Sequence, residues 1–422
     1  MNWRPSKVFY GWWIVGACVL IGLYISGAVF YGFTAIFEPI VNDLGWSYTQ
    51  VSLAASLRGL EMGLLAPVFG ILADRWGPRR LIFSAGILTA IGFFFLGRTT
   101  SLGMFYAGFL LISIGMSGCT MTVLMTAVAY WFRRKVGTAS GIAMCGFGLG
   151  GLMVPVIAEL IEKYEWRTTV TILAVGILVW VLPLSLVFRH KPEQYGYLPD
   201  GRVEDSVTLD NSPSLSHDVD VNVNLKQALR GNIFWILALA FTCQILLVNA
   251  VVTHAMPYLS SVGVTRSMSS LVATAIPLVS IGGRLGLGWL GDKINRRLLL
   301  VGALAMISLG VLCFGYAPIA GFWLLVPFLV LFGFGYGGCN ALRPSLTREY
   351  FGRTNFGSVF GTLMGINMLG AIIGPTLAGW VYDVWGSYQG IWLVLAVLPI
   401  AVLVAVLTIP VSRNTAELAD KV

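Results

Sequence analysis

The chain has 422 residues, 57% of them hydrophobic and only 11% charged, with a mean hydropathy of +0.82. A soluble domain carries about 25% charged residues, so this chain has too few to dress a water-exposed surface, and a cytosolic enzyme is excluded. The net charge of +8 lies in short Lys and Arg clusters between apolar runs, which is the pattern of membrane topology rather than of a nucleic-acid-binding face.

A helix that crosses a bilayer needs about 20 apolar residues. In chain order, apolar runs predict spans near 9–36, 47–72, 80–97, 102–132, 137–161 and 168–188. A second set follows near 232–258, 268–290, 298–316, 321–347, 355–380 and 388–410. The expected fold is therefore an all-α membrane protein of twelve transmembrane helices in two six-helix halves, 1–189 and 232–422. Between them, 190–231 is polar and acidic, with Asp200, Glu204, Asp205, Asp210, Asp218 and Asp220, and reads as a linker. The first apolar run is too long for a signal peptide and stays as a span.

Twenty of the 27 basic residues fall on the side that holds both termini and the linker, and only Arg98, Lys163, Arg167 and Arg266 fall opposite. That asymmetry predicts cytoplasmic termini in a cytoplasmic (plasma) membrane protein. The six cysteines all lie inside apolar runs, without CxxC pairs or histidines at metal spacing, so neither a metal nor a disulfide framework is expected. A GxxxxGK[ST] loop is absent, which argues against a primary pump. The expectation is a monomer in the lipid bilayer, without a cofactor and without enzymatic activity.

The halves repeat. Gly70-Ile-Leu-Ala-Asp74-Arg75-Trp-Gly77-Pro-Arg79-Arg80 after the second span is echoed by Gly288-Trp-Leu-Gly-Asp292-Lys293-Ile-Asn-Arg296-Arg297 after the eighth. Tyr130-Trp-Phe-Arg-Arg before Gly137 and Gly141 is echoed by Tyr350-Phe-Gly-Arg353 before Gly357 and Gly361. Parallel halves of this kind place a substrate site at their interface, near the membrane midplane.

Residues 70–80 resemble the signature loop of the major facilitator superfamily. The resemblance implies a conformational gate at Asp74, Arg75, Arg79, Arg80, Asp292 and Arg296, with Asp74 at a helix end where it can pair with arginines and accept backbone N–H bonds. Tyr10-Gly11-Trp12-Trp13, Met256-Pro257-Tyr258, Arg284 and the stretch from Gly337-Gly338 to Pro344-Ser345 are similar to the monocarboxylate and oxalate-formate porter branch. In that branch an arginine of the eighth span binds the substrate carboxylate, and Arg284 matches it. The chain departs from the monocarboxylate porters in three places. Tyr10 stands where they have an acid, Ser280 where they have an aspartate, and Tyr31 near their lysine. It also has no basic residue from Gly357 to Gly379, where oxalate-formate porters carry a lysine.

Charges at bilayer depth are costly, so each must face a lumen or a partner. Arg284 lies eight residues before Asp292, about 12 Å inside its helix end, and its planar fork suits a carboxylate. Glu61 is the one acid deep in a span, with Arg58 a turn earlier on the same face, and is the first candidate for proton coupling. His254, the one histidine inside a span, is the alternative proton carrier and a candidate lumen contact. Arg343, beside Pro344, is a candidate second anion contact. Tyr31, Tyr336 and Asn340 complete the expected substrate site.

The sequence is thus read as a secondary transporter that moves a small organic anion, a monocarboxylate, with a proton by alternating access. The alternatives are an organic-anion or metabolite exchanger or exporter, and a non-transporting sensor on the same fold. The fifth span lacks the G-P-x-x-G-G ending of exporters, and the linker leaves little room for a signalling domain.

Overall fold

The computed structural model describes residues 9–46, 48–201 and 223–410. Side chains at 31, 34, 38, 48, 49, 52–62, 201, 266, 267 and 270 fall outside that description. Among the described residues every regular element is helical, as the composition requires, because a bilayer offers no water to satisfy free backbone groups. Ten helical stretches among the described residues are long and apolar enough to cross a membrane.

The chain divides into two compact units, the first Met1–Asn222 with Gly352–Thr362, the second Val223–Phe351 with Leu363–Val422. The first unit holds α1 (Gly11–Ile25), α2 (Gly32–Leu44), α3 (Tyr48–Trp76), α4 (Pro78–Gly97), α5 (Leu102–Ser117), α6 (Met121–Trp131), α7 (Val136–Leu149) and α8 (Met153–Val187). In its packing α4 lies against α5 and α8, α1 against α7, and α3 against α5.

Two expected spans of this unit carry internal breaks, and two others run together. The first contains a π-helical turn over Ser26–Tyr31, which joins α1 to α2. The fourth parts at Gly118–Thr120, where Thr120 Oγ1 donates to the Ser117 carbonyl (2.8 Å), a local bond that competes with helix continuation. The fifth and sixth form a helical stretch of 52 residues, Val136–Val187, interrupted where Glu165 adopts φ 63°. Between α3 and α4, Gly77 turns the chain at φ 81°, and Pro78 opens α4 where its missing N–H costs nothing.

In the second unit α9 (Leu225–Arg230) precedes α10 (Asn232–Ser261), α11 (Arg266–Leu290), α12 (Arg296–Ala320), α13 (Leu325–Phe351), α14 (Phe356–Trp385) and α15 (Gln389–Leu407). The sequence reading takes 190–231 as a polar linker. Its last residues form α9, nucleated by a capping box between Asn224 and Gln227. Helix α13 packs against α11 and α12, and α15 against α10 and α12. All six cysteines are free thiols.

Candidate functional site

Arg284 sits on α11 with only 6% of its surface exposed. Its position is set by the close approach of α13. A Cβ at Gly337 would meet the Ser280 carbonyl oxygen and would lie 2.8 Å from the Arg284 amide nitrogen, so only glycine lets the two backbones meet. One residue earlier, the Tyr336 ring faces the guanidinium, with Cζ 5.8 Å from the ring centroid. Gly337→Ala is expected to force α11 and α13 apart at a cost of about 1–3 kcal/mol, read as a lower melting temperature of the purified protein.

Seven residues beyond Tyr336 on α13, Arg343 is 2% exposed. Its Nη2 donates to Gln244 Oε1 on α10 (2.6 Å), its Nη1 lies 3.8 Å from Met364 Sδ on α14, and its Cζ lies 4.9 Å from the Phe241 ring centroid. Asn340, between the two positions on α13, is 8% exposed.

His254 on α10 is engaged at both ring nitrogens, Nε2 with the Pro375 carbonyl (3.0 Å) and Nδ1 with the Tyr388 hydroxyl (3.0 Å). The carbonyl can only accept, so Nε2 carries the proton and Nδ1 accepts from Tyr388 in the neutral ring. A second proton at Nδ1 requires the Tyr388 hydroxyl to turn from donor to acceptor. Tyr388 is itself stacked on Tyr382, with ring centroids 4.3 Å apart.

In the first unit Asp74 near the end of α3 gathers four donors. Oδ1 accepts from the Gly357 amide (2.8 Å) and the Tyr130 hydroxyl (2.6 Å), and Oδ2 from the Ser358 amide (2.7 Å) and hydroxyl (2.6 Å). The two amides are orphan donors at the start of α14, and the carboxylate both caps them and meets the positive end of the helix dipole. The arginine pairing expected of Asp74 is not formed among the described residues, where Arg75, Arg79 and Arg80 are exposed. These helix-end and hydroxyl donors already occupy both carboxylate oxygens.

The second copy of the motif is wired differently. Arg296 reaches Asp292 Oδ1 (3.5 Å), Glu349 Oε2 (3.3 Å) and, through Nε, the Gly291 carbonyl (2.8 Å). Tyr350, the counterpart of Tyr130, donates to Pro410 instead (3.1 Å). Near the Asp74 end, the ring of His190 lies 5.5 Å from that of Tyr130, and a Cβ at Gly77 would come within 2.9 Å of His190 Nδ1. Burial, and then the neighbouring Lys191, hold the His190 imidazole below the usual histidine range. Tyr10 donates to the Val187 carbonyl (2.9 Å) and carries Arg189 over its ring at 4.0 Å, a contact an acid at that position would replace with an ion pair.

Of the expected site residues, the second unit thus brings Arg284 to Tyr336 and places Arg343 and Asn340 further along the same helix. It holds His254 in a separate node with Tyr388 and Pro375. The side chains of Tyr31, Arg58 and Glu61 lie outside the described residues. Sequence reading missed Gln244, Tyr388 and Ser358. Gln244 carried a usable signal, a carboxamide in the middle of an apolar run.

The family model described as Major Facilitator Superfamily matches residues 13–262 and 245–421. Monocarboxylate transporter 12 of Mus musculus is 27% identical over 405 residues, covering 92% of this chain and 83% of its own. The oxalate:formate antiporter of Oxalobacter formigenes is 26% identical over 379 residues, covering 87% and 86%. Among solved structures, the proton:xylose symporter XylE superposes with a TM-score of 0.71 at 14% identity over 94% of both chains. The human organic anion transporter MFSD10 does so with a TM-score of 0.70 at 15% identity over 96% of this chain and 100% of its own. With the family model matched along nearly its whole length, the chain belongs to the Major Facilitator Superfamily and is a membrane transporter rather than an enzyme.

Proposed function

We propose that this transporter moves a small organic anion, in the simplest case a monocarboxylate, together with a proton across the cytoplasmic membrane. The observation that carries the reading is Arg284, a guanidinium buried on an apolar helix beneath an aromatic ring. A permanent cation at that depth favours an anion beside it, and a carboxylate fits its planar fork bidentately. Two sequence relatives whose names give monocarboxylate, and oxalate and formate, as their substrates support the same class.

In this reading Arg284 receives the carboxylate, with Tyr336, Asn340, Arg343, His254 and Tyr31 around the substrate. Glu61, balanced by Arg58, carries the proton, and His254 is the alternative carrier. Asp74 with Arg75, Arg79 and Arg80, and Asp292 with Arg296, form the gate as the halves 1–189 and 232–422 rock about the occupied site across the 190–231 linker. Twelve crossings fit the chain, since α3 and the double length of Val136–Val187 add two to the ten apolar stretches. The cationic excess places both termini in the cytoplasm, and one copy of the chain suffices for transport. The antiporter named among the relatives favours exchange as the second reading, which counterflow in proteoliposomes separates from symport.

The test is a thermal-shift and uptake screen of purified protein against carboxylates at two pH values. Carboxylates are expected to raise the melting temperature by mass action, and more so at the lower pH if proton and anion bind together. Glu61→Gln is expected to abolish accumulation driven by an imposed pH gradient. Survival of that accumulation moves the coupling to His254, and absence of any carboxylate response refutes the substrate class.

A further inference from the structure

Arg343 poses a different electrostatic problem from Arg284. The helices that enclose it carry few acids. None lies in α10 or α11, and α13 and α14 hold only Glu349, which pairs with Arg296, and Asp383, forty residues on in sequence. The one oxygen that meets the guanidinium among the described residues is the neutral Gln244 Oε1. Accepting from Arg343 commits the Gln244 carboxamide to that orientation, and among the described residues its Nε2 is left without an acceptor, as is Arg343 Nε. Gln244 is fully buried and Arg343 is 2% exposed. A helical turn beyond Met364, the fully buried Asn367 likewise uses Oδ1 to accept from Thr242 (3.0 Å) and leaves Nδ2 unpartnered. Among the described residues two buried donors, on α10 and α13, therefore lack acceptors beside a full positive charge, with a third on α14, and buried donors of this kind are rarely left so.

Tyr336 links this cluster to the carboxylate site. Arg343 follows it by seven residues, two turns along the same face of α13 and about 10 Å along the axis, while its ring faces Arg284. A single carboxylate held by Arg284 leaves the Arg343 charge uncompensated.

We propose that Arg343 and Gln244 form a second anion subsite, which takes a second carboxylate of the transported molecule, so that the preferred substrate is a short dicarboxylate. The assignment rests on the carboxylate reading of Arg284. In the occupied state Arg343 Nε and Gln244 Nε2 donate to the second carboxylate, and each guanidinium has its own counter-charge.

The experiment compares succinate and butyrate, equal in carbon number and different in charge, by calorimetry on the purified full chain in chloride-containing and chloride-free buffer. The wild type is expected to bind succinate about tenfold to a hundredfold more tightly than butyrate. Gln244→Glu puts a carboxylate beside Arg343, and the ratio of succinate to butyrate affinity is expected to fall at least about tenfold while the protein keeps its melting temperature. Arg343→Gln, which removes the charge, is expected to lower the same ratio. A general loss of fold weakens both ligands together and leaves the ratio in place, so a purely structural role for the cluster predicts no change in it. A wild-type ratio near one overturns the subsite while the carboxylate reading stands. A ratio unchanged in Gln244→Glu also overturns it. Butyrate binding that needs chloride in the wild type and not in Gln244→Glu overturns it in favour of an inorganic ion. Failure of both ligands to bind refutes the two readings together.

Discussion

Arg284→Lys is expected to weaken carboxylate binding by about tenfold to a hundredfold, and Arg284→Ala by more, with little change in melting temperature for the lysine variant. The reasoning is geometric. Lysine keeps the charge but replaces a planar fork of paired N–H donors by a single point charge, which cannot hold both carboxylate oxygens in one plane. The Tyr336 ring and the tight α11–α13 contact at Gly337 orient a flat group, and a flexible ammonium gains little from either. Binding is read by the ligand-induced shift in melting temperature and transport by uptake into proteoliposomes. Wild-type affinity in Arg284→Lys refutes the fork argument, and wild-type affinity in Arg284→Ala refutes the site.

The second large effect is expected at Asp74. Asp74→Ala removes the acceptor of two backbone amides and two hydroxyls at once, leaving the start of α14 uncapped. A cost of about 3–5 kcal/mol follows, because the donors are largely enclosed and the lost bonds are charge-assisted. Hydrogen exchange measures it locally, and the amides of Gly357 and Ser358 are expected to exchange much faster. Asp74→Asn keeps one carbonyl oxygen but turns an NH2 group toward N–H donors, so it is expected to recover only part of the protection. Unchanged exchange in Asp74→Ala shows that the α14 start is held by something else.

Much of the architecture was open to reading because the bilayer imposes strong rules on composition. Runs of about 20 apolar residues without charge have few ways to exist other than as membrane helices, and the Asp74 and Asp292 loops betrayed the internal repeat. The same logic picked out Arg284 and Arg343, since a charge inside an apolar run is conspicuous in one dimension. The breaks inside the expected spans were not legible, because a π turn at Ser26–Tyr31 or the parting of the fourth span at Gly118–Thr120 changes backbone geometry without interrupting the hydrophobic run.

Partners were the other limit. Asp74 was read as a mate for arginines close to it in sequence, yet its four donors come from Tyr130, Gly357 and Ser358, up to 284 residues away. His254 stood out as an intramembrane histidine, but its bonds to Pro375 and Tyr388 are made across helices. Gln244 stood in an apolar run without a visible partner, and only α13 brought Arg343 to within 2.6 Å of it. Composition and periodicity therefore determined the helical membrane class and singled out Arg284 and Arg343 as charges inside apolar runs, since each depends on how a residue type partitions between water and lipid. Only the tertiary structure decided which donor meets which acceptor, because hydrogen bonds act over about 3 Å and only packing brings residues so far apart in sequence that close.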